Sequence, residues 1–304
     1  MAGLFDKQAE VYVDARPRYP SEWYSMLAGR THHHTLAWDV GTGNGQAAIG
    51  VSNLLFSFFY LAYLRPRTQN ICVLDVLSID QDHLNWHHKL IIFKVAEYYE
   101  QVIGTDVSEA QLKHAMSHPR VRYIHTPLSI SDDELVLLLG GEGSVDLVTA
   151  AEAVHWFDLP NFYSIVTRLL RKPGGILAVW GYNDSAISPA IDSALKRFRE
   201  TTLPFRDPNI RNLFDGYRTL PFPFESVGLG SEGEPLLLDM PMELSFDGLL
   251  RMLMSSSAVA TAKDRGVELL SEGVVKELES AWGGRSLIRN VIYKAFMLVG
   301  KPKL

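Results

Sequence analysis

Short apolar segments alternate with amphipathic segments along the chain, and this alternation predicts the secondary structure. Apolar runs rich in Val, Ile and Leu indicate buried strands, and segments with apolar residues at helical spacing indicate the helices between them. Ser108 precedes one such helix as an N-terminal capping residue. The predicted strands span residues 35–41, 101–107, 121–128, 144–157 and 176–182. This βα alternation predicts a parallel sheet with helices on both faces.

The C-terminal third of the chain has a different pattern. Residues 235–244 and 289–300 resemble strands, and residues 246–266 between them have the spacing of one helix. We expect these two strands to pair antiparallel at one edge of the sheet. The sequence therefore predicts a single α/β domain over residues 1–304, with a doubly wound sheet of seven strands.

A glycine-rich turn follows the first predicted strand, in the segment "AWDVGTGNGQ". Gly41, Gly43 and Gly45 allow the backbone to turn tightly and to approach a ligand closely. A dinucleotide fingerprint requires a further glycine where this chain has Gln46, which disfavours NAD or FAD. Asp39 precedes the turn by two residues, where a carboxylate can reach a ligand ammonium group.

The distance from this turn to the next strand-end acid is unusually long. Asp106 ends the second predicted strand and lies 65 residues after Gly41, whereas the fold places such an acid about 20 residues on. Without residues 51–94 the separation becomes 21, and "QAAIG" joins "VAEYYE" as one amphipathic helix. The pattern predicts that residues 51–94 are an insertion within the domain.

Two origins fit this insertion. Its first residues, Val51 and Ser52, can be encoded as GTA-AGT, and its last residue, Lys94, as AAG, which are the border signals of an intron. Its apolar run "LLFSFFYLAYL" is too short to span a bilayer, which needs about 20 residues. We favour a retained intron, and an evolved lid or membrane-touching loop is the competing interpretation.

Outside the insertion, the chain resembles a known enzyme family. The matching segments are "FDKQAEVYVDARPRYP", "WDVGTGNGQ", "IGTDVSEAQL", "VDLVTAAEAVHWFD" and "LLRKPGGILAVW". They are similar to class I S-adenosylmethionine-dependent methyltransferases of the small-molecule type 11 branch, including the trans-aconitate methyltransferases. The resemblance implies a Rossmann-like fold, S-adenosyl-L-methionine as cofactor and a small-molecule acceptor such as a carboxylic acid.

The resemblance also implies roles for individual residues. His155 and Trp156 would contact the substrate, and His155 is the candidate general base if the acceptor is a hydroxyl or an amine. A packed aromatic pair is the competing interpretation of these two residues. The residues implied to bind the cofactor are Tyr12, Arg16, Asp39, Gly41, Gly43, Gly45, Asp106, Val107 and Ala151.

The composition of the chain limits the kinds of partner that we expect it to bind. The net charge is −6, which argues against a general attraction to nucleic acid. Cys72 is the single cysteine and the N-terminus lacks a signal-peptide pattern, so we expect a cytoplasmic monomer without a membrane or nucleic-acid partner. The run of residues 32–34, all histidine, has no partners at ligand spacing and predicts no metal site. An oxidoreductase of related fold and a catalytically impaired binding protein are the alternative functions.

Overall fold

The computed structural model describes residues 17, 19–44, 95–230 and 233–303. The insertion predicted at residues 51–94 lies outside the described residues. The strands are β1 Leu36–Val40, β2 Gln101–Asp106, β3 Val121–His125, β4 Leu147–Ala151, β5 Ile176–Ala186, β6 Glu225–Ser226, β7 Leu236–Ser245 and β8 Ile288–Lys301. The helices are α1 Ser21–Ala28, α2 Val95–Tyr98, α3 Glu109–Lys113, α4 Asp132–Leu138, α5 Leu159–Leu169, α6 Pro189–Thr202, α7 Arg211–Phe214, α8 Phe246–Met254, α9 Ser257–Asp264 and α10 Glu272–Trp282.

The strands form one mixed sheet in the order β3-β2-β1-β4-β5-β8-β6, with β7 paired to β8. Strands β1 to β5 are parallel, and Trp38 in β1 lies between Ile103 of β2 and Val148 of β4. Strand β8 runs antiparallel to β5, β6 and β7. The predicted doubly wound sheet with antiparallel C-terminal strands is confirmed, and the two-residue β6 is an additional strand.

Alternate residues of the central strands enter two separate apolar clusters, because successive side chains of a strand point to opposite faces. Trp180 of β5 belongs to one cluster and makes edge contacts with Trp23 and Tyr24 of α1. Trp38 of β1 belongs to the other cluster and contacts Phe162 of α5. The sheet is therefore covered on both faces. No helix of the described residues has the length and apolar character needed to cross a membrane.

A buried carboxylate joins the strands at the end of the sheet where the parallel strands begin. Asp146 Oδ2 accepts hydrogen bonds from Thr35 N (2.8 Å) and Leu36 N (3.1 Å). Its Oδ1 lies 2.5 Å from Arg171 Nε. The Asp146 side chain is 1% exposed, so this carboxylate depends on these three donors.

Among the predicted elements whose bounds differ in the structure, two end or break within a predicted segment. The strand predicted over 144–157 ends at Ala151, because Glu152 adopts a positive φ of 55° and a 3₁₀ turn over Val154–Trp156 follows. The helix predicted over 246–266 is interrupted between Met254 and Ser257 and forms α8 and α9. Serines favour helix ends over helix interiors, and the interruption falls within a run of three of them.

Candidate active site

A cavity of about 180 Å³ lies at the carboxyl ends of β1, β2 and β4. Strand order reverses between β1 and β4, and ligands of open α/β sheets bind at such a reversal. The cavity is lined by Tyr19, residues 40–44, residues 105–107, Gln111, Thr126, residues 151–153, Trp156 and Phe157. The predicted residues Gly41, Gly43, Asp106, Val107, Ala151 and Trp156 are therefore brought together at one cavity.

The glycine turn requires glycine at its first position. Gly41 has φ = 66°, and a Cβ at this residue would lie 2.6 Å from Ala153 Cβ. Gly43 also has a positive φ, 57°, and the nearest atom to a Cβ there would be Gln111 Oε1 at 4.0 Å, an ordinary contact. The close approach between Gly41 and Ala153 brings the turn after β1 against the turn after β4.

Asp106 connects the glycine turn to the end of β2. Its Oδ2 accepts a hydrogen bond from Gly43 N at 2.8 Å, and its Oδ1 accepts one from Ser108 N at 2.8 Å. The Ser108 hydroxyl in turn accepts from Gln111 N as the N-cap of α3. Asp106 thus orders three adjoining segments of the cavity wall.

Asp39 links the glycine turn to β4 through hydrogen bonds. Its side chain is buried, and its two carboxylate oxygens accept hydrogen bonds from Thr42 Oγ1 and Thr149 Oγ1, each at 2.6 Å. Asp39 is not among the described residues that line the cavity. Its contact with a cofactor ammonium group therefore stays a prediction.

The Asn44 side chain has unmet hydrogen-bonding capacity at the cavity. Its Oδ1 and Nδ2 atoms are buried, and neither has a hydrogen-bond partner among the described residues. A buried amide without partners costs about 1–3 kcal/mol. A polar ligand in the cavity can supply these partners. Tyr12, Arg16 and Gly45 lie outside the described residues, so their roles stay predictions.

A second cavity of about 190 Å³ adjoins the first, and Glu152 and Trp156 line both. Its other walls come from β5, α6, α8 and the segment around Arg206. Glu152 is one of two described non-glycine residues with positive φ, and its Oε1 accepts a hydrogen bond from Tyr182 N at 2.6 Å. Backbone strain of this kind is often found at functional sites.

His155 lines the second cavity beside Trp156, and the two rings are 4.9 Å apart. His155 Nδ1 lies 3.0 Å from the hydroxyl of Tyr217. Burial lowers the pKa of His155 to about 4, an effect that nearby Asp207 partly opposes. The imidazole is therefore neutral at pH 7.

Sequence reasoning did not single out Glu152, Arg206 or Tyr217. Glu152 lies inside a segment that was predicted to be strand, so its turn had no separate signal. Arg206 and Tyr217 belong to irregular chain between α6 and β6 and reach the site only through the tertiary fold. The glycine beside Tyr217 is the one local signal of a turn there.

Part of the chain is similar to a known protein family. Residues 89–179 match a protein family described as "Methyltransferase domain". The match covers less than a third of the chain. The matched residues contain β2 to β4 and the start of β5, whereas β1, which lies between β2 and β4 in the sheet, precedes them.

Two curated proteins and one solved structure are also similar to this chain. A Dictyostelium discoideum protein provisionally named a methyltransferase is 24% identical over 308 residues, covering 98% of this chain and 95% of that protein. A Saccharomyces cerevisiae protein provisionally named an S-adenosylmethionine-dependent methyltransferase is 34% identical over 97 residues, covering 30% and 31%. A solved structure from Anaeromyxobacter dehalogenans, provisionally described as a type II methyltransferase, is 27% identical, with a TM-score of 0.66 over 94% of this chain and 97% of that one.

These matches support a class I S-adenosylmethionine-dependent methyltransferase. They do not favour the alternative of a catalytically impaired binding protein.

Proposed function

We propose that this methyltransferase transfers a methyl group from S-adenosylmethionine to a small carboxylic acid bound in the second cavity. The observation that carries the proposal is the shared wall of the two cavities, formed by Glu152 and Trp156. When bound, S-adenosylmethionine supplies an electrophilic methyl group, which a carboxylate oxygen can accept without losing a proton. The protein then has to align the two reactants and exclude water.

The residues of the first cavity fit this cofactor. Gly41 and Gly43 leave room for close approach at the turn, and the carboxylate of Asp106 can accept hydrogen bonds from ribose hydroxyls. The buried amide of Asn44 offers both a donor and an acceptor to the polar groups of the cofactor. Val107 and Ala151 supply apolar surface on either side.

The protonation state of His155 favours an acceptor that needs no general base. A catalytic base is most effective when its pKa lies near the working pH. Burial holds the pKa of His155 at about 4, so His155 is a weak base for a hydroxyl or an amine. A carboxylate is already an ionised nucleophile at pH 7.

Arg206 also favours an anionic acceptor. Its Nε donates to Thr202 Oγ1 at 2.9 Å, and one Nη2 hydrogen bond goes to the carbonyl of Arg199. Among the described residues, no carboxylate lies within ion-pair distance of Arg206. Burial and the neighbouring Arg199 lower the pKa of this half-buried guanidinium. An anion in the cavity would offset its charge.

Calorimetric binding of S-adenosylhomocysteine tests the cofactor half of the proposal. Asp106→Ala and Asp106→Asn should each weaken binding by about 1.5–3 kcal/mol, because a charged acceptor of hydrogen bonds is lost. Asp133→Ala is the matched control, since Asp133 is exposed and pairs with Arg168 on the surface. Unchanged affinity in both Asp106 variants, with unfolding temperatures near that of the parent, would refute the assignment.

Methylation assays test the acceptor half. The protein should convert members of a panel of short-chain carboxylic acids to methyl esters, with a rate that is nearly constant from pH 6 to pH 8. Transfer to protein, RNA or hydroxyl compounds, with no ester from any acid, would overturn the proposed acceptor class.

We further propose that residues 51–94 are an insertion that divides this domain. Support comes from the matched range, which begins at residue 89, although the central strand β1 lies before residue 51. A sheet in which β1 bridges β2 and β4 needs both parts of the chain. Sequencing the transcript and its genomic locus distinguishes a retained intron from an evolved insertion.

A further inference from the structure

His155 and Tyr217 form a buried pair at the wall of the second cavity. His155 Nδ1 and the Tyr217 hydroxyl are 3.0 Å apart, and the two residues are 5% and 1% exposed. Of the pair, His155 lines the cavity. Which of the two atoms donates the hydrogen bond decides which nitrogen of His155 carries its proton.

The chain holds the Tyr217 hydroxyl firmly in place. Tyr217 has φ = 60°, a backbone conformation that is strained for a non-glycine residue. Its backbone N–H donates to Asn212 O at 2.9 Å, and its ring packs edge-on against Phe296 with the ring centres 4.9 Å apart. These contacts keep the hydroxyl at His155 despite the strain.

The available donors and acceptors indicate that Tyr217 donates the hydrogen bond to His155. Burial, and to a lesser degree Glu152, raise the pKa of Tyr217, so its hydroxyl keeps its proton. In the described part of the chain, the hydroxyl has His155 Nδ1 as its hydrogen-bond partner. If Nδ1 carried the ring proton, the hydroxyl proton would be buried without an acceptor, which is unfavourable. Tyr217 therefore donates to Nδ1, and the neutral ring carries its proton on Nε2.

The other nitrogen of His155 is available to a ligand. His155 Nε2 has no hydrogen-bond partner among the described residues, and the side chain lines the second cavity. The charged or titratable groups whose fields act on this pair are Asp207, on His155, and Glu152 and Tyr163, on Tyr217.

We propose that Tyr217 is a positioning residue that fixes His155 as an Nε2–H donor, and that this N–H binds an oxygen of the acceptor carboxylate. The identity of the acceptor rests on the proposed function above. One carboxylate oxygen is held by His155 while the other attacks the methyl carbon. The carbon–sulfur bond breaks with its electron pair going to sulfur, and the proton stays on Nε2.

Nitrogen-15 NMR of histidine-labelled protein, with S-adenosylhomocysteine bound, tests the tautomer directly. The His155 signals, assigned by their loss in His155→Asn, should show a bare Nδ1 and a protonated Nε2. Tyr217→Phe should remove this preference. Tyr163→Phe is the matched control, because Tyr163 is also buried but its hydroxyl donates to Pro221 O. A protonated Nδ1 in the parent, or equal effects of the two Phe variants, would overturn the inference.

Titration with linear carboxylic acids of two to six carbons tests the contact with the acceptor. Acid binding should shift the Nε2–H signal. His155→Gln, whose amide can donate near the Nε2 position, should keep most of the affinity, whereas His155→Asn should lose about tenfold. Acid binding that leaves Nε2–H unchanged, or equal losses in Gln and Asn, would refute the contact. If no acid binds while S-adenosylhomocysteine does, the carboxylate acceptor fails, and the tautomer measurement still decides the role of Tyr217.

Discussion

Burial of His155 predicts a loss of stability as the pH falls through the range in which a free histidine takes up its proton. The folded protein holds the pKa of His155 at about 4, against about 6.5 in an unfolded chain. Between these values the unfolded state binds more protons, so lowering the pH favours unfolding. From pH 7 to pH 5 this group alone should lower the free energy of unfolding by about 2 kcal/mol.

Urea denaturation at pH 7, 6 and 5 measures this effect, with the parent compared with His155→Asn. Asn keeps a polar atom near the Nδ1 position for Tyr217 but does not titrate. The parent should therefore lose about 2 kcal/mol more than the variant between pH 7 and pH 5. His33→Asn is the control, because His33 is exposed, and it should retain the full loss. Parallel pH profiles for the parent and His155→Asn would show that His155 protonates as readily in the folded protein as in the unfolded chain.

Three further perturbations test the turn, the buried carboxylate and the insertion. Gly41→Ala should destabilise the protein by about 1–3 kcal/mol more than Gly143→Ala in thermal unfolding. The two glycines have nearly the same φ, but of the two only Gly41 has a neighbour that a Cβ would clash with; equal effects would contradict the clash. Asp146→Ala should cost about 2–4 kcal/mol in urea denaturation because it leaves the buried Leu36 N–H, the part-buried Thr35 N–H and the Arg171 guanidinium without this acceptor; a loss no larger than that of Asp239→Ala, in an exposed ion pair, would contradict this. Deletion of residues 51–94 should increase solubility and S-adenosylhomocysteine affinity, and equality of the two forms in both assays would remove the predicted effect of the insertion.

The parallel part of the fold could be predicted because its signals are local. Buried strands of a parallel sheet are short apolar runs bounded by turns, and β1, β2 and β3 each begin within one residue of the predicted start. The end of β4 could not be predicted, since apolar residues continue past Ala151 and the chain departs from the strand through the backbone angle of Glu152. The interruption between α8 and α9 depends on serines that are also found within helices.

More of the first cavity than of the second cavity could be predicted from the sequence. Glycine spacing and an acid at a strand end are fixed by the local turn, so Gly41, Gly43 and Asp106 lie together in the structure. Arg206 lines the second cavity and Tyr217 contacts His155 at its wall, and both residues lie in segments that have no regular pattern. The interest of Arg206 depends on its lack of an ion-pair partner among the described residues, and that of Tyr217 on a single buried hydrogen bond. Neither feature can be seen in a sequence pattern.

The position of β8 determines when the sheet can be completed during synthesis. Of the strands that the structure describes, β8 is the last to leave the ribosome, yet it pairs with β5, β6 and β7. Until β8 is made, β5 pairs with β4 on one side only and its other edge is open. Strand β7 then has no partner strand in the described chain. Such edges favour association with other chains during synthesis. The nascent protein is therefore prone to association until β8 is complete, and a chaperone that covers the edge of β5 would be most useful in that interval.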